Sequence, residues 1–181
     1  NEGDEVLVPE PYYPSYNTFI LSAGARLVPL PTDPKRGYSF GDQEEICKHI
    51  TPATRAIILT NPGNPTGAVL TREEMSRLMK LALEHDLFLI SDEVYREFYY
   101  DTTPPVSMGT FPEIADRAVL VDSISKRFSA CGARVGCLIT KNQELMEHVM
   151  KFCQARLSVP TLDQIGAAAL YELPDEYYAR V

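Results

Sequence analysis

Apolar residues along the chain follow two rhythms. Short runs with no polar interruption read as buried strands: Val6-Leu7-Val8 closed by Pro9, then residues 26–30, 55–60, 87–90, 118–121 and 135–140. Between them the period is helical. Residues 13–23 form a helix-like stretch that stops at Gly24, a residue suited to the left-handed turn after a helix. Thr71-Arg72-Glu73-Glu74 has the spacing of a capping box. Met75, Leu78, Met79 and Ala82 follow it at i, i+3, i+4 and i+7, which predicts an amphipathic helix to about His85. Asp42-Gln43-Glu44-Glu45 has the same box spacing and opens a short helix to about His49. Met146, Val149, Met150 and Cys153 mark another helix, and a last one runs from Pro160 to about Glu172. Breaker-rich loops fill residues 31–37 and 61–67.

Strands alternating with helices predict an α/β fold, three layers deep, around a mostly parallel sheet. One connection departs from that rule. Parallel neighbours need a crossover of about a dozen residues or more, usually helical. The segment between the strand at 118–121 and the strand at 135–140 offers no such helix. The last strand is therefore expected to run antiparallel to the rest.

Composition narrows the function classes. At 181 residues, 45% hydrophobic and 23% charged, the chain suits one globular domain. Its net charge of −8 argues against nucleic acid or an anionic membrane surface as a partner. No apolar run approaches the ~18 residues of a membrane span. Cys47, Cys131, Cys137 and Cys153 form no CxxC, and His49, His85 and His148 are scattered, so neither a metal site nor a disulfide framework is expected. This cysteine usage fits a reducing, cytoplasmic setting. The chain opens at Asn1 and closes on residues 175–181, which read as a helix cut after two turns. A fragment of a longer chain is expected, with residues 1–172 as part of one large domain and 173–181 leading toward another.

In open α/β sheets, ligands bind outside the carboxyl ends of the strands. The residues at those ends are Tyr12, Tyr13 and Tyr16 after the first strand and Asn64 after the third. Asp92, Glu93 and Tyr95 follow the fourth; Ser123, Ser125 and Lys126 follow the fifth, with Arg134 eight residues beyond the lysine. Each has an ordinary reading alone: rim tyrosines, a turn asparagine, a helix cap, solvated cations. Their convergence on successive strand ends is what points to a site. The inventory suits an anionic aromatic ligand that carries a carbonyl.

Four stretches, in order, carry a family resemblance: Pro11-Tyr12-Tyr13-Pro14-Ser15-Tyr16, Asn61-Pro62-Gly63-Asn64-Pro65-Thr66-Gly67, Ser91-Asp92-Glu93-Val94-Tyr95, and Ser123-Ile124-Ser125-Lys126 with Ala133-Arg134-Val135-Gly136. They span residues 11 to 136. The chain resembles the large domain of a class I/II aminotransferase, the aspartate aminotransferase family of fold type I, whose cofactor is pyridoxal 5′-phosphate (PLP).

The resemblance implies a role for each matching residue. Lys126 forms the Schiff base with the cofactor aldehyde, which only a primary amine can do, and later moves a proton as general base and acid. Asp92 keeps the pyridine nitrogen protonated, so that the ring can accept electrons. Asn64 and Tyr95 bond the ring oxygen, Tyr13 stacks on the ring face, and Ser123 and Arg134 hold the phosphate. A cis peptide is implied at Asn64–Pro65. The family's glycine-rich phosphate loop, its substrate-carboxylate arginine and the tyrosine lent by a partner subunit have no match in the chain. The implied reaction is transamination between an amino acid, of aspartate or aromatic type, and a 2-oxo acid, in a homodimer.

Three rivals remain at this level. A β-lyase or an aminocyclopropane-carboxylate synthase shares the fold and the same residues. A PLP-sensing regulatory module would carry a basic DNA-binding head upstream. A nicotinamide-binding domain is opposed by the lack of any G-x-G-x-x-G opening a helix.

Overall fold

The computed structural model describes residues 1–40, 42–100 and 104–180. Six strands, β1 (Glu5–Pro9), β2 (Arg26–Leu30), β3 (Thr54–Thr60), β4 (Phe88–Asp92), β5 (Ala118–Ser123) and β6 (Gly136–Ile139), form one sheet in the order β2-β1-β3-β4-β5-β6. The first five pair parallel, and β6 pairs antiparallel with β5 from Leu120 opposite Ile139 to Ser123 opposite Gly136. The expected antiparallel strand is thus present. It starts one residue late because the Val135 carbonyl accepts from Ile124 N–H and the Ser123 hydroxyl instead of joining the ladder.

Among the described residues six α-helices accompany the sheet: α1 (Ser15–Ser22), α2 (Gln43–Cys47), α3 (Arg72–Glu84), α4 (Ile124–Arg127), α5 (Gln143–Ala155) and α6 (Thr161–Leu170). Alternate strand residues face opposite layers, as the two-residue period requires. Leu7, Ile57, Leu59 and Leu89 pack with Ile46 of α2 and with Met75, Leu78 and Met79 of α3. Val8 and Ile58 point the other way, to Tyr16 and Ile20 of α1. A third cluster joins Ile124 and Phe128 around α4 to Ala167 of α6. The three-layer architecture expected from the pattern is the one found.

Local signals explain most boundaries. Thr71 and Glu74 form the full capping box at α3, each bonding the other's backbone N–H. The box expected at Asp42 is not formed. Asp42 caps α2 through Glu44 N–H, but the Glu45 carboxylate is taken by Lys48, and α2 ends at Cys47. Helix α1 begins at Ser15 rather than at Tyr13. Pro14 explains the delay, since its ring disfavours helical backbone at the preceding residue. The final segment, expected as a helix, is a 3-10 helix, Asp175–Arg180; Val181 lies outside the described residues.

The first strand connects to β2 on one side and β3 on the other, so the winding reverses between β1 and β3. A crevice opens outside the carboxyl ends of strands at such a reversal.

Candidate active site

Asp92 is the last residue of β4, opposite Thr60 of β3 and Val121 of β5. Tyr16 reaches it from α1 across the crevice: its hydroxyl donates to Asp92 Oδ2 at 2.6 Å and lies 2.8 Å from the Thr60 hydroxyl. Val94 N–H donates to Asp92 Oδ1 at 3.3 Å. Burial pushes the Asp92 carboxyl above its ordinary range, and nearby Asp122 adds to the rise; the bonds from Tyr16 and Val94 pull it partly back. Burial, then the Asp92 charge, push the Tyr16 phenol up as well. Tyr16 therefore stays a neutral donor, and Asp92 is the acceptor.

The loop after β3 is held by its own chemistry. Asn61 is buried and accepts from Leu70 N–H at 3.0 Å while donating to the Val106 carbonyl at 3.1 Å. Gly63 packs so closely that a Cβ there would lie 2.7 Å from Thr66 Oγ1. The Asn64–Pro65 bond is cis, as the resemblance implies, and Glu10–Pro11 and Asn61–Pro62 are cis too. The loop delivers the Asn64 amide to the Tyr95 hydroxyl at 3.3 Å. Lys126 Nζ sits over the Tyr95 ring, 5.9 Å from its centroid. A cavity of about 40 Å³, room for water, adjoins Tyr16, Thr60 and Asn64.

Lys126 rides on α4, a single turn capped by Ser123, whose hydroxyl accepts from Ser125 N–H at 3.0 Å. The same hydroxyl lies 2.7 Å from Ser125 Oγ and 3.0 Å from the Val135 carbonyl. Arg134 closes the following turn in left-handed backbone, φ 56°, with its exposed guanidinium donating to the Cys131 carbonyl at 2.8 Å.

Of the residues expected at the site, direct contacts join Asn64, Tyr95 and Lys126. Asp92 and Tyr13 are linked through Tyr16, which meets Tyr13 edge to face at 5.8 Å between centroids. Tyr13 itself is 43% exposed, leaving a ring face open. Ser123 bonds the Val135 carbonyl and Arg134 precedes that residue; among the described residues no hydrogen bond joins either to the other expected site residues. Glu93, although buried beside Asp92, faces away and binds Ser91 Oγ and Met108 N–H. Sequence reasoning missed the grip of Tyr16 on Asp92 and the Thr60 hydroxyl that meets the Tyr16 hydroxyl behind it. Tyr16 was visible only as one of three tyrosines after β1, and the Thr60 hydroxyl follows the apolar run 56–59 of β3.

The arrangement offers a half-buried carboxylate, an amide–phenol pair, a primary amine, and a hydroxyl and guanidinium on one sheet edge. Such a donor set fits a protonated ring nitrogen, a ring oxygen, an aldehyde and a phosphate, in that order.

Comparison with known proteins agrees. Residues 1–179 match the family aminotransferase class I and II. The chain is 34% identical to aromatic-amino-acid aminotransferase 2 of Thermococcus litoralis over 92% of its own length and 43% of the relative's. It is 42% identical to the arginine–pyruvate transaminase of Pseudomonas aeruginosa over 77% of its length and 35% of that protein. The crystal structure of an aspartate aminotransferase from Thermotoga maritima superposes with a TM-score of 0.92 at 29% identity, covering 99% of this chain and 48% of that one. The chain thus spans less than half the length of these relatives. Motifs, fold and relatives converge: the chain belongs to the class I and II aminotransferases.

Proposed function

We propose that this chain supplies the ring-binding core of an enzyme that moves an amino group between an amino acid and a 2-oxo acid. The family is PLP-dependent. When bound, that cofactor supplies an aldehyde for the amino group and a ring that takes up electrons. Everything else falls to the chain's own residues.

Asp92 holds a proton on the ring nitrogen. Its burial makes the lone carboxylate costly, and a cationic partner offsets that cost. Tyr16, whose hydroxyl also meets that of Thr60, fixes the carboxylate's direction together with Val94 N–H. Asn64 and Tyr95, already bonded to each other, turn a donor pair toward the ring oxygen. The exposed face of Tyr13 covers the ring. Lys126 provides the amine and, once released, would take a proton from the substrate Cα and give it to the cofactor's aldehyde carbon. Ser123 and Arg134 hold the phosphate; Arg134 spends one donor on Cys131, and a guanidinium has five.

Residues 1–172 form part of the cofactor domain in this reading, and 173–181 lead out of it. The amino acid is of aspartate or aromatic type. The enzyme works as a homodimer in the cytoplasm. Among the described residues, no helix is long and apolar enough to cross a membrane.

The half-buried Asp92 carboxylate, gripped by Tyr16 on the edge that carries Lys126, is the observation that carries the reading. Borohydride reduction of the full-length protein with PLP, followed by peptide mass spectrometry, tests it. Phosphopyridoxyl on Lys126, absent in Lys126→Ala, is the expected result. Modification scattered over surface lysines in both proteins would overturn it. Pyruvate and ammonia released without a 2-oxo acid acceptor would move the reaction to a lyase.

A further inference from the structure

Beside the candidate site lies a charge cluster that the proposed chemistry does not use. Arg127 is 5% exposed, and its Nη2 meets Asp122 Oδ2 at 2.6 Å. Its Nε is 3.7 Å from Glu97 Oε1, too far for a hydrogen bond, and among the described residues that buried nitrogen has no hydrogen-bond partner. Arg96 completes the set, with Nη1 3.7 Å from Asp122 Oδ2 and Nε 3.9 Å from Glu97 Oε1. The Arg127 guanidinium also lies 5.7 Å from the Tyr171 ring centroid and 5.9 Å from that of Phe128.

Two positive and two negative side chains thus tie three pieces of chain together: the end of β5, the turn after β4, and α4. The two arginines are not placed at random. Arg96 follows Tyr95 directly, and Arg127 follows Lys126 directly. Consecutive side chains on a helix diverge by about 100°. Pinning Arg127 inward onto Asp122 therefore turns Lys126 outward, and it faces the Tyr95 ring. Anchoring Arg96 and Glu97 to the same pair sets the turn from which Tyr95 projects.

A buried ion pair is a poor way to gain stability, since apolar residues of like volume often do as well or better. The orphaned Arg127 Nε adds a further penalty. What charged pairs supply and oil does not is direction: an arginine fork on a carboxylate has one good geometry.

We propose that the Arg96–Glu97–Asp122–Arg127 quartet is a positioning device that sets the Lys126 amine against Tyr95, with Arg127 as its principal positioning residue. The proposal rests on the reading of Lys126 as the Schiff-base lysine.

The test uses the full-length protein, freed of cofactor and then mixed with PLP. Three quantities are read: the thermal midpoint before mixing, the equilibrium affinity for PLP, and the rate at which phosphopyridoxyl-Lys126 can be trapped by borohydride. The double variant Asp122→Leu/Arg127→Met removes both buried charges at similar volume. It is expected to keep its melting point within about 3 °C. Its trapping rate is expected to fall by at least about tenfold, within the loss that ångström-scale misplacement brings. Affinity should change by less than about threefold, because the phosphate and ring contacts remain. Arg127→Lys, which keeps the charge but not the fork, should fall between. A double variant that traps at the wild-type rate would show the quartet to be a fold element only and would overturn the proposal. Should the double variant fail to fold, Arg96→Gln carries the test, because that side chain is 46% exposed. It is expected to slow trapping by about threefold with an unchanged melting point, and an unchanged rate would count against the quartet. Failure of the underlying reading looks different: trapping would then miss Lys126 in the wild-type protein itself.

Discussion

Helices α3 and α5 are twins in sequence and opposites in the fold. Each has 13 residues, each has an acidic first turn, and each is capped at its start by a side chain, Thr71 for α3 and Asn142 for α5. Both carry an apolar stripe at helical spacing. Yet α3 buries Met75, Leu78, Met79, Leu81 and Ala82 against the sheet, whereas α5 buries none of its residues. Met150 is 48% exposed and Phe152 75%. Amphipathic spacing records that a helix face is suited to burial. It does not record that the same stretch of chain supplies the surface that buries it.

The sharpest way to break this comparison is to truncate the two faces. Leu78→Ala, at a fully buried position, should cost about 2–5 kcal/mol in denaturant unfolding. Phe152→Ala should change stability by no more than about 0.5 kcal/mol. Equal losses would mean that α5 is buried in solution.

Asp92 offers a different contrast, since there the fold gives up stability. Its carboxyl is raised above the ordinary 3.8 in the folded, cofactor-free chain, chiefly by burial. A group raised by folding favours the native state while protonated, and that contribution is lost as pH rises through its folded value. Asp92→Asn should therefore melt higher than wild type at neutral pH without cofactor, and the gap should close as pH falls below 3.8. A variant that melts lower at every pH would show that the Tyr16 bond outweighs burial. With cofactor, the same substitution should remove most of the activity.

The smallest effect concerns the caps. Thr71→Ala should cost about 1 kcal/mol of global stability, because α3 unfolds only with the core. Asn142→Ala should lower helical circular dichroism locally while leaving the global midpoint nearly unmoved. A matched global loss from both would erase the distinction between the helices.

Much of this was legible in the residues. The apolar runs located six strands, and Thr71 with Glu74 located α3. The shortness of the link to the last strand predicted its reversed direction. What stayed hidden depended on competition or distance. Lys48 took the carboxylate that a box at Asp42 needed, and Pro14 delayed α1. At the site, the residue types at the strand ends were readable because each strand end was. The Tyr16–Asp92 bond was not, since its partners stand 76 residues apart and meet only through the sheet. The quartet was hidden for a related reason: four charges in a sequence read as solvated until the fold brings them together and buries Arg127 and Asp122.

The hairpin that carries Lys126 has a consequence for the order of assembly. Ser123 pairs with Gly136, so the lysine and Arg134 lie inside one short loop closed by antiparallel strands. Contacts so near in sequence close at small entropic cost, whereas the bond between Tyr16 and Asp92 must wait for β1, β3 and β4 to align. The expected order is local first: amides at the β5–β6 pairing gain protection from hydrogen exchange earlier in refolding than those of β3 and β4. Simultaneous protection would argue for one concerted step. In the expected order, the amine is in place before the carboxylate that makes it useful.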